Sequence, residues 1–228
     1  MKVTAIIPVA GKGKRFGEDI PKQYFKIDGS PIIAITLSKI HAVKEINFII
    51  IVVSPDEIDR TRQIIHDYCE ITKDIKIITG GLKRQDSVCN GLINVSVDTD
   101  IVVVHDGVRP LIQPDTVSKS IDIASKDGAC IVAVPVKDTV KKVNNKRVIE
   151  TLPREQLVNV QTPQTFKYHI LKEAYDKAKD SVYYATDESA LVEWAGYPVT
   201  VLMGSYDNIK ITTKNDLKIA EALINLIM

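Results

Sequence analysis

The stretch Val3-Thr4-Ala5-Ile6-Ile7-Pro8, running directly into Val9-Ala10-Gly11-Lys12-Gly13-Lys14-Arg15-Phe16-Gly17, decides the fold. Its first half is a continuous apolar run without in/out alternation, the pattern of a parallel strand covered on both faces. Its second half is a turn at the strand's carboxyl end, where glycines let backbone N–H groups approach an anion closely. Between Gly11 and Lys26 lie Lys12, Lys14, Arg15, Lys22 and Lys26 against only Glu18 and Asp19, so the loop is locally positive. Basic side chains beside free backbone amides suit a triphosphate. The spacing is not a dinucleotide fingerprint, because Phe16 holds the third glycine position. Nor is it a Walker A loop, because no Gly-Lys-Ser/Thr follows.

Working outward, apolar runs alternate with amphipathic ones. Strands are expected at Phe48–Val53, Ile75–Thr79, Ile101–Val104, Ala129–Val134 and Val199–Met203. Helices are expected at Pro31–His41, Asp56–Tyr68, Gln85–Val95, Asp115–Ser125, Lys167–Lys179, Thr186–Ala195 and Asp216–Met228. This alternation implies βαβ units and an α/β, doubly wound, mostly parallel sheet. Such sheets bind ligands beyond the carboxyl ends of their strands. The pattern breaks after Val136. Thr139-Val140-Lys141 and Val148-Ile149-Glu150 flank Asn144-Asn145, which suits a hairpin turn. From Lys137 to Arg154 six basic residues face two acidic ones, a net +4. This predicts a protruding basic β-hairpin arm, marginal by itself and therefore laid against another subunit.

Composition bounds the rest. The chain has 228 residues, with Lys+Arg 30 against Asp+Glu 29, a net charge of +1. That balance gives no footprint of a nucleic-acid binder, and the mix excludes disordered, collagenous and coiled-coil chains. Cys69, Cys89 and Cys130 are scattered and odd in number, so neither a disulfide framework nor a zinc site is indicated. No apolar run is long enough for a signal peptide or a membrane span, which leads to the expectation of a cytoplasmic protein.

Two further clusters follow strands. Gly80-Gly81-Leu82-Lys83-Arg84-Gln85-Asp86-Ser87-Val88 places Arg84 and Ser87 at a helix start, a base- or ribose-binding edge as well as an ordinary first turn. His105-Asp106-Gly107-Val108-Arg109-Pro110 puts a carboxylate three residues before an arginine. That carboxylate either makes a local ion pair or holds a metal or a substrate hydroxyl, and His105 reads as a packed histidine. Thr186-Asp187-Glu188 doubles as a helix start.

Taken together, these segments resemble the 2-C-methyl-D-erythritol 4-phosphate cytidylyltransferase family. The matching motifs are PxAGxGxRxG with PKQ, GGxxRxxSV, VHDxxRP, VPVxDTxK, TPQ, TDE and DNIKxT, in order from Pro8 to Thr212. The resemblance implies a Rossmann-like nucleotidyltransferase in which residues 1–228 form one cytidylyltransferase domain with a dimerisation arm at about 138–160. It implies transfer of CMP from CTP to methylerythritol phosphate with Mg²⁺ held mainly through the CTP phosphates, no dedicated protein metal ligands, and a homodimer with exchanged arms.

Carried over residue by residue, Arg15, Lys22 and Lys210 are the expected catalytic residues. Pro8, Val9, Ala10, Gly11, Gly13, Gly81, Arg84, Ser87 and Asp106 are expected to bind the nucleotide. Asp106, Arg109, Thr139, Arg154, Thr186 and Lys210 are expected to bind the sugar phosphate. The length leads to the expectation that no second enzyme is fused to it. Two departures stand out: Val9 where the family often has Ala, and Gly107-Val108 where Ala-Ala is common. The Asp106–Pro110 form also resembles the ribitol-5-phosphate cytidylyltransferases, whereas TDE and Asp207-Asn208 favour the methylerythritol enzyme. A non-catalytic nucleotide-binding protein is the alternative from another class. Retention of Arg15, Lys22, Asp106 and Lys210 argues against it.

Overall fold

The computed structural model describes residues 1–11 and 20–227. Gly13 and Arg15 lie outside the described residues. In chain order the elements are β1 (Val3–Pro8), β2 (Lys26–Ile27), β3 (Ser30–Pro31), α1 (Ile32–His41), β4 (Ile46–Val53), α2 (Ile58–Tyr68), β5 (Asp74–Thr79), α3 (Arg84–Ile93), β6 (Ile101–Val104), α4 (Pro114–Asp127), β7 (Ala129–Pro135), β8 (Lys141–Asn144), β9 (Arg147–Thr151), β10 (Val158–Lys167), α5 (Tyr168–Ser181), α6 (Glu188–Trp194), β11 (Thr200–Met203) and α7 (Lys214–Ile227).

The central sheet has the order β11-β7-β10-β6-β1-β4-β5. Pairings β1–β4, β1–β6, β4–β5 and β7–β11 are parallel. Successive strand residues point to opposite faces, and in the central strands β1, β4 and β6 both faces are covered. Ala5, Ile7, Ile49, Ile51 and Val103 belong to one core cluster. Ile6, Ile50, Val52, Val102 and Val104 belong to another. This double coverage explains why the strands read as unbroken apolar runs.

From β1 the chain proceeds to β4 and β5 on one side, then returns to β6 on the other. The carboxyl ends of β1 and β6 therefore flank the topological switch point, where an open α/β sheet leaves a crevice.

One strand was not foreseen. β10 runs antiparallel between β6 and β7. Its interior positions Gln161, Thr162, Gln164 and Thr165 are polar yet buried, so hydrophobic periodicity cannot reveal it. Each of them finds a partner, as buried polar groups must. Thr165 Oγ1 lies 2.8 Å from Ser120 Oγ, and Gln164 Nε2 donates to Asp187 Oδ2 at 2.9 Å. The register shifts between Val160 and Gln164 around Pro163, where a bulge tolerates a residue with no N–H.

The expected arm is present but shorter than 138–160. The ribbon is β8–β9, and Val158–Val160 already belongs to β10. Its turn falls one residue later than expected, at Asn145-Lys146, with φ of 46° and 64°. Positive φ at both central residues is what a two-residue type I′ hairpin requires. All nine ribbon residues are exposed. Among the described residues, no helix is long and apolar enough to cross a membrane.

Candidate active site

A cleft of about 180 Å³ opens at the switch point. Its walls bring together Pro8, Val9, Ala10, Gly11, Lys22, Gly81, Arg84, Ser87, Asp106 and Lys210, ten of the residues singled out from sequence. Gln23, Leu82, Lys83 and Val108 complete the lining.

Each wall is fixed by local chemistry. Val9 continues β1 by donating its N–H to Val52 O at 2.8 Å. Gln23, 2% exposed, donates through Nε2 to Val9 O at 2.9 Å. Tyr24 O–H pairs with Thr61 Oγ1 at 2.9 Å. The short turn Lys22–Tyr24 is thus pinned on both sides, and Lys22 is held at the cleft. Opposite, Lys83 caps α3 and Asp86 Oδ2 accepts its N–H at 3.0 Å. Ser87 Oγ accepts the Gly81 N–H at 3.1 Å. A Cβ on Gly81 would lie 2.3 Å from Asp86 Cβ, so only glycine allows this close turn.

The floor is an ionic cluster around Asp106. Arg84 Nη2 lies 3.2 Å from its Oδ1, Lys210 Nζ 2.8 Å from its Oδ2, and Arg109 Nε 3.7 Å from the same oxygen. Burial pushes the Asp106 carboxyl up, but Arg84, Lys210 and Arg109 outweigh it and hold it well below the usual carboxylate range. Arg109 also donates to Asn208 O at 2.6 Å. Asn208 in turn donates to Thr162 O and Gln161 Oε1 at 2.9 and 3.0 Å. The unforeseen strand β10 is therefore what carries the floor.

Beneath Asp106 a buried chain fixes one histidine tautomer. His105 is fully buried. Its Nε2 faces Arg109 O at 3.2 Å, a pure acceptor, so Nε2 carries the proton. Nδ1 then accepts from Thr162 O–H at 3.1 Å, while Thr162 Oγ1 accepts the Asp106 N–H at 3.0 Å. Burial lowers the His105 pKa to about 4, so the ring is neutral at pH 7 and structural.

A histidine whose folded pKa lies below its unfolded value of about 6.5 destabilises the protein as pH falls, because only the unfolded chain takes up the proton. Between pH 7 and 5 this removes about 2 kcal/mol of unfolding free energy. Urea titrations at the two pH values should show that loss shrinking in His105→Gln. An equal loss in both proteins would contradict the neutral buried ring.

The two departures from the family pattern meet in space. A Cβ on Gly107 would lie 2.2 Å from Val9 Cγ1, and 2.9 Å from Ile33 Cδ1. The larger residue at 9 fills the space that an alanine at 107 would take. Gly107→Ala alone is expected to cost about 1–3 kcal/mol by overpacking. Adding Val9→Ala should recover at least half of it, read from urea midpoints as a double-mutant cycle. Additive losses would show the two positions to be independent.

Four expected substrate residues do not line this cleft: Arg109, which meets it only through Asp106, and Thr139, Arg154 and Thr186. Thr186 is exposed and precedes Asp187, which caps α6 by accepting the Ala190 N–H at 2.9 Å. Thr139 is exposed at the start of the arm. Arg154, at its end, donates to Lys137 O at 3.0 Å. Conversely, the residues alone did not single out Glu188. It is 1% exposed, and both its oxygens accept from Arg84 Nη1, at 2.7 and 2.8 Å. Among the described residues no cluster of three or more His, Cys, Asp or Glu side chains could hold a metal ion.

The geometry is that of an anion-binding cleft whose cations are arranged on one buried carboxylate. Comparison with known proteins agrees with it over the whole chain. The family profile described as IspD, 2-C-methyl-D-erythritol 4-phosphate cytidylyltransferase, matches residues 3–226. Proteins of that name from Alkaliphilus metalliredigens and Alkaliphilus oremlandii are each 47% identical over 226 residues, 98% of this chain, covering 93% and 95% of theirs. The crystal structure of 4-diphosphocytidyl-2C-methyl-D-erythritol synthase from Anaerococcus prevotii superposes with a TM-score of 0.88 at 33% identity, covering 98% of this chain and 96% of that one. Sequence, fold and cleft converge, and this chain belongs to the 2-C-methyl-D-erythritol 4-phosphate cytidylyltransferase family.

Proposed function

We propose that this chain transfers the cytidylyl group of CTP to 2-C-methyl-D-erythritol 4-phosphate, releasing pyrophosphate, in the cytoplasm. The observation that carries this reading is the cleft itself. Lys22 and the Ala10–Gly11 backbone face Arg84, Asp106 and Lys210 across a space at the switch point.

In the reaction an oxygen of the acceptor phosphate attacks the α-phosphorus of CTP. The bond from that phosphorus to the oxygen bridging to the β-phosphorus breaks, and pyrophosphate leaves with the electron pair. A phosphate monoester is already anionic at neutral pH, so no strong base is needed. Positioning and charge stabilisation carry the rate. Lys22 and Arg15 hold the triphosphate and offset charge on the pentacoordinate phosphorus. Pro8–Gly11, Gly13, Gly81 and Ser87 form the nucleotide cradle, and Asp106, Arg109 and Lys210 face the sugar phosphate.

Asp106 is the only carboxylate among the described lining residues and is already bound by three cations. Mg²⁺ therefore fits here as a partner of the triphosphate rather than of a protein cage. It supplies neutralisation of phosphate oxygens.

Residues 1–228 act as one catalytic unit that is completed by a second copy. In support, Val143, Val148 and Ile149 on the arm are each about 60% exposed, and a two-stranded ribbon needs a partner surface. Thr139 and Arg154 sit at the base of that ribbon, away from the cleft of their own chain, and with Thr186 they are assigned to the acceptor side. Mixing inactive Lys22→Ala with inactive Arg154→Ala should restore about a quarter of wild-type activity, because half the dimers are mixed and each keeps one intact site. No recovery after subunit exchange would overturn the exchanged arms. The chemistry itself is checked by ³¹P NMR. A diphosphate-linked product with two coupled phosphorus resonances, and pyrophosphate, should appear from CTP only when methylerythritol phosphate is added, and their absence would overturn the assignment.

A further inference from the structure

Arg84 is the one cation in the cluster shared by two buried carboxylates. Its Nη1 donates to both oxygens of Glu188, while Nε and Nη2 donate to Asp106 Oδ1 at 3.3 and 3.2 Å. Glu188 does not line the cleft. It lies behind Arg84, 1% exposed, and its Oε1 also accepts from the Tyr175 hydroxyl at 3.3 Å. Tyr175 is 5% exposed. Burial pushes the Glu188 carboxyl up, and the Arg84 charge works against that push. Lys210, by contrast, is 38% exposed at the side chain and holds Asp106 Oδ2 through a single ammonium. An ammonium on a flexible stem re-aims easily, whereas a guanidinium clamped on two sides does not.

We propose that Glu188, backed by Tyr175, is a positioning residue that clamps Arg84 across Asp106, so that Asp106 stays charge-balanced while Lys210 turns to substrate. This rests on the cytidylyltransferase reading for its consequence, but not for its geometry. The five groups carry three positive and two negative charges. Removing the charge of Glu188 leaves the cluster more positive, so anionic substrates still bind. Arg84 is then free to swing into the cleft, and the reacting groups lose their alignment.

The test uses the full-length Glu188→Gln and Tyr175→Phe variants. In the wild type, Arg84 Nε–H should exchange slowly with solvent by NMR. In Glu188→Gln it should exchange at least tenfold faster, while the amides of β1 and β6 stay protected. In turnover, Glu188→Gln should lower kcat at least tenfold, with the KM for CTP unchanged or smaller. Combining it with Arg84→Ala should add less than a twofold further loss. Tyr175→Phe should shift both readouts in the same direction by a smaller factor. Unchanged Arg84 exchange in Glu188→Gln, or a full additional loss in the double variant, would overturn the clamp. Failure of the wild type to use methylerythritol phosphate would instead overturn the functional reading, leaving the exchange result to decide the clamp.

Discussion

Replacing Asp106 by asparagine is expected to lower the unfolding free energy by about 3–5 kcal/mol, the penalty for breaking a buried ion pair and leaving its partner uncompensated. The side chain is 7% exposed and balances three cations, so the substitution leaves Arg84, Arg109 and Lys210 to repel one another. The pH dependence follows from the sign of the shift. A carboxyl whose folded pKa is depressed contributes fully above its unfolded pKa of about 3.9, and the contribution is lost as pH falls through the folded value. Urea denaturation should therefore give a constant gap between wild type and Asp106→Asn from pH 8 to 5, closing only below about pH 4. A gap already shrinking between pH 7 and 6 would mean that the carboxylate is not held in its ionised form. Activity should fall in the same variant, since Lys210 loses the oxygen that aims it.

The second large effect falls on rate rather than stability. Lys22→Ala should lower kcat by about 10²–10³, or roughly 2–4 kcal/mol of transition-state stabilisation, as expected for removing one aimed charge from a developing oxyanion. The fold should be unaffected. The turn that carries Lys22 is anchored by Gln23 on Val9 O and by Tyr24 on Thr61, neither of which involves the lysine side chain. Steady-state kinetics together with a thermal melt check both halves. A lost Tm would show that Lys22 supports the fold, and unchanged turnover would remove it from the chemistry.

What could be read from the sequence follows from how each element is stabilised. β1, β4, β6 and β7 are apolar on both faces and the edge strand β5 carries its isoleucines among exposed Asp74, Lys76 and Thr79, so their runs stand out, and the observed limits differ from expectation by no more than two residues. β10 is central yet silent, because four of its six buried side chains are Gln and Thr, satisfied by hydrogen bonds to Asp187, Ser120 and Asn208 that join distant parts of the chain. The site shows the same division. The loops after β1, β5 and β6 announce themselves by glycine and charge. Glu188 does not, since its partner Arg84 lies 104 residues away and its own neighbours make an ordinary helix start. Val9 and Gly107 look like two unrelated departures until the fold brings one into the space left by the other.

The cleft joins CTP to methylerythritol phosphate. The most direct measurement is the initial rate of pyrophosphate release from CTP and Mg²⁺ with methylerythritol 4-phosphate and ribitol 5-phosphate as parallel acceptors. Turnover with the first, and none above background with the second, is the expected result. Turnover with ribitol 5-phosphate alone would contradict it, keeping the cytidylyl chemistry but reassigning the acceptor side of the site.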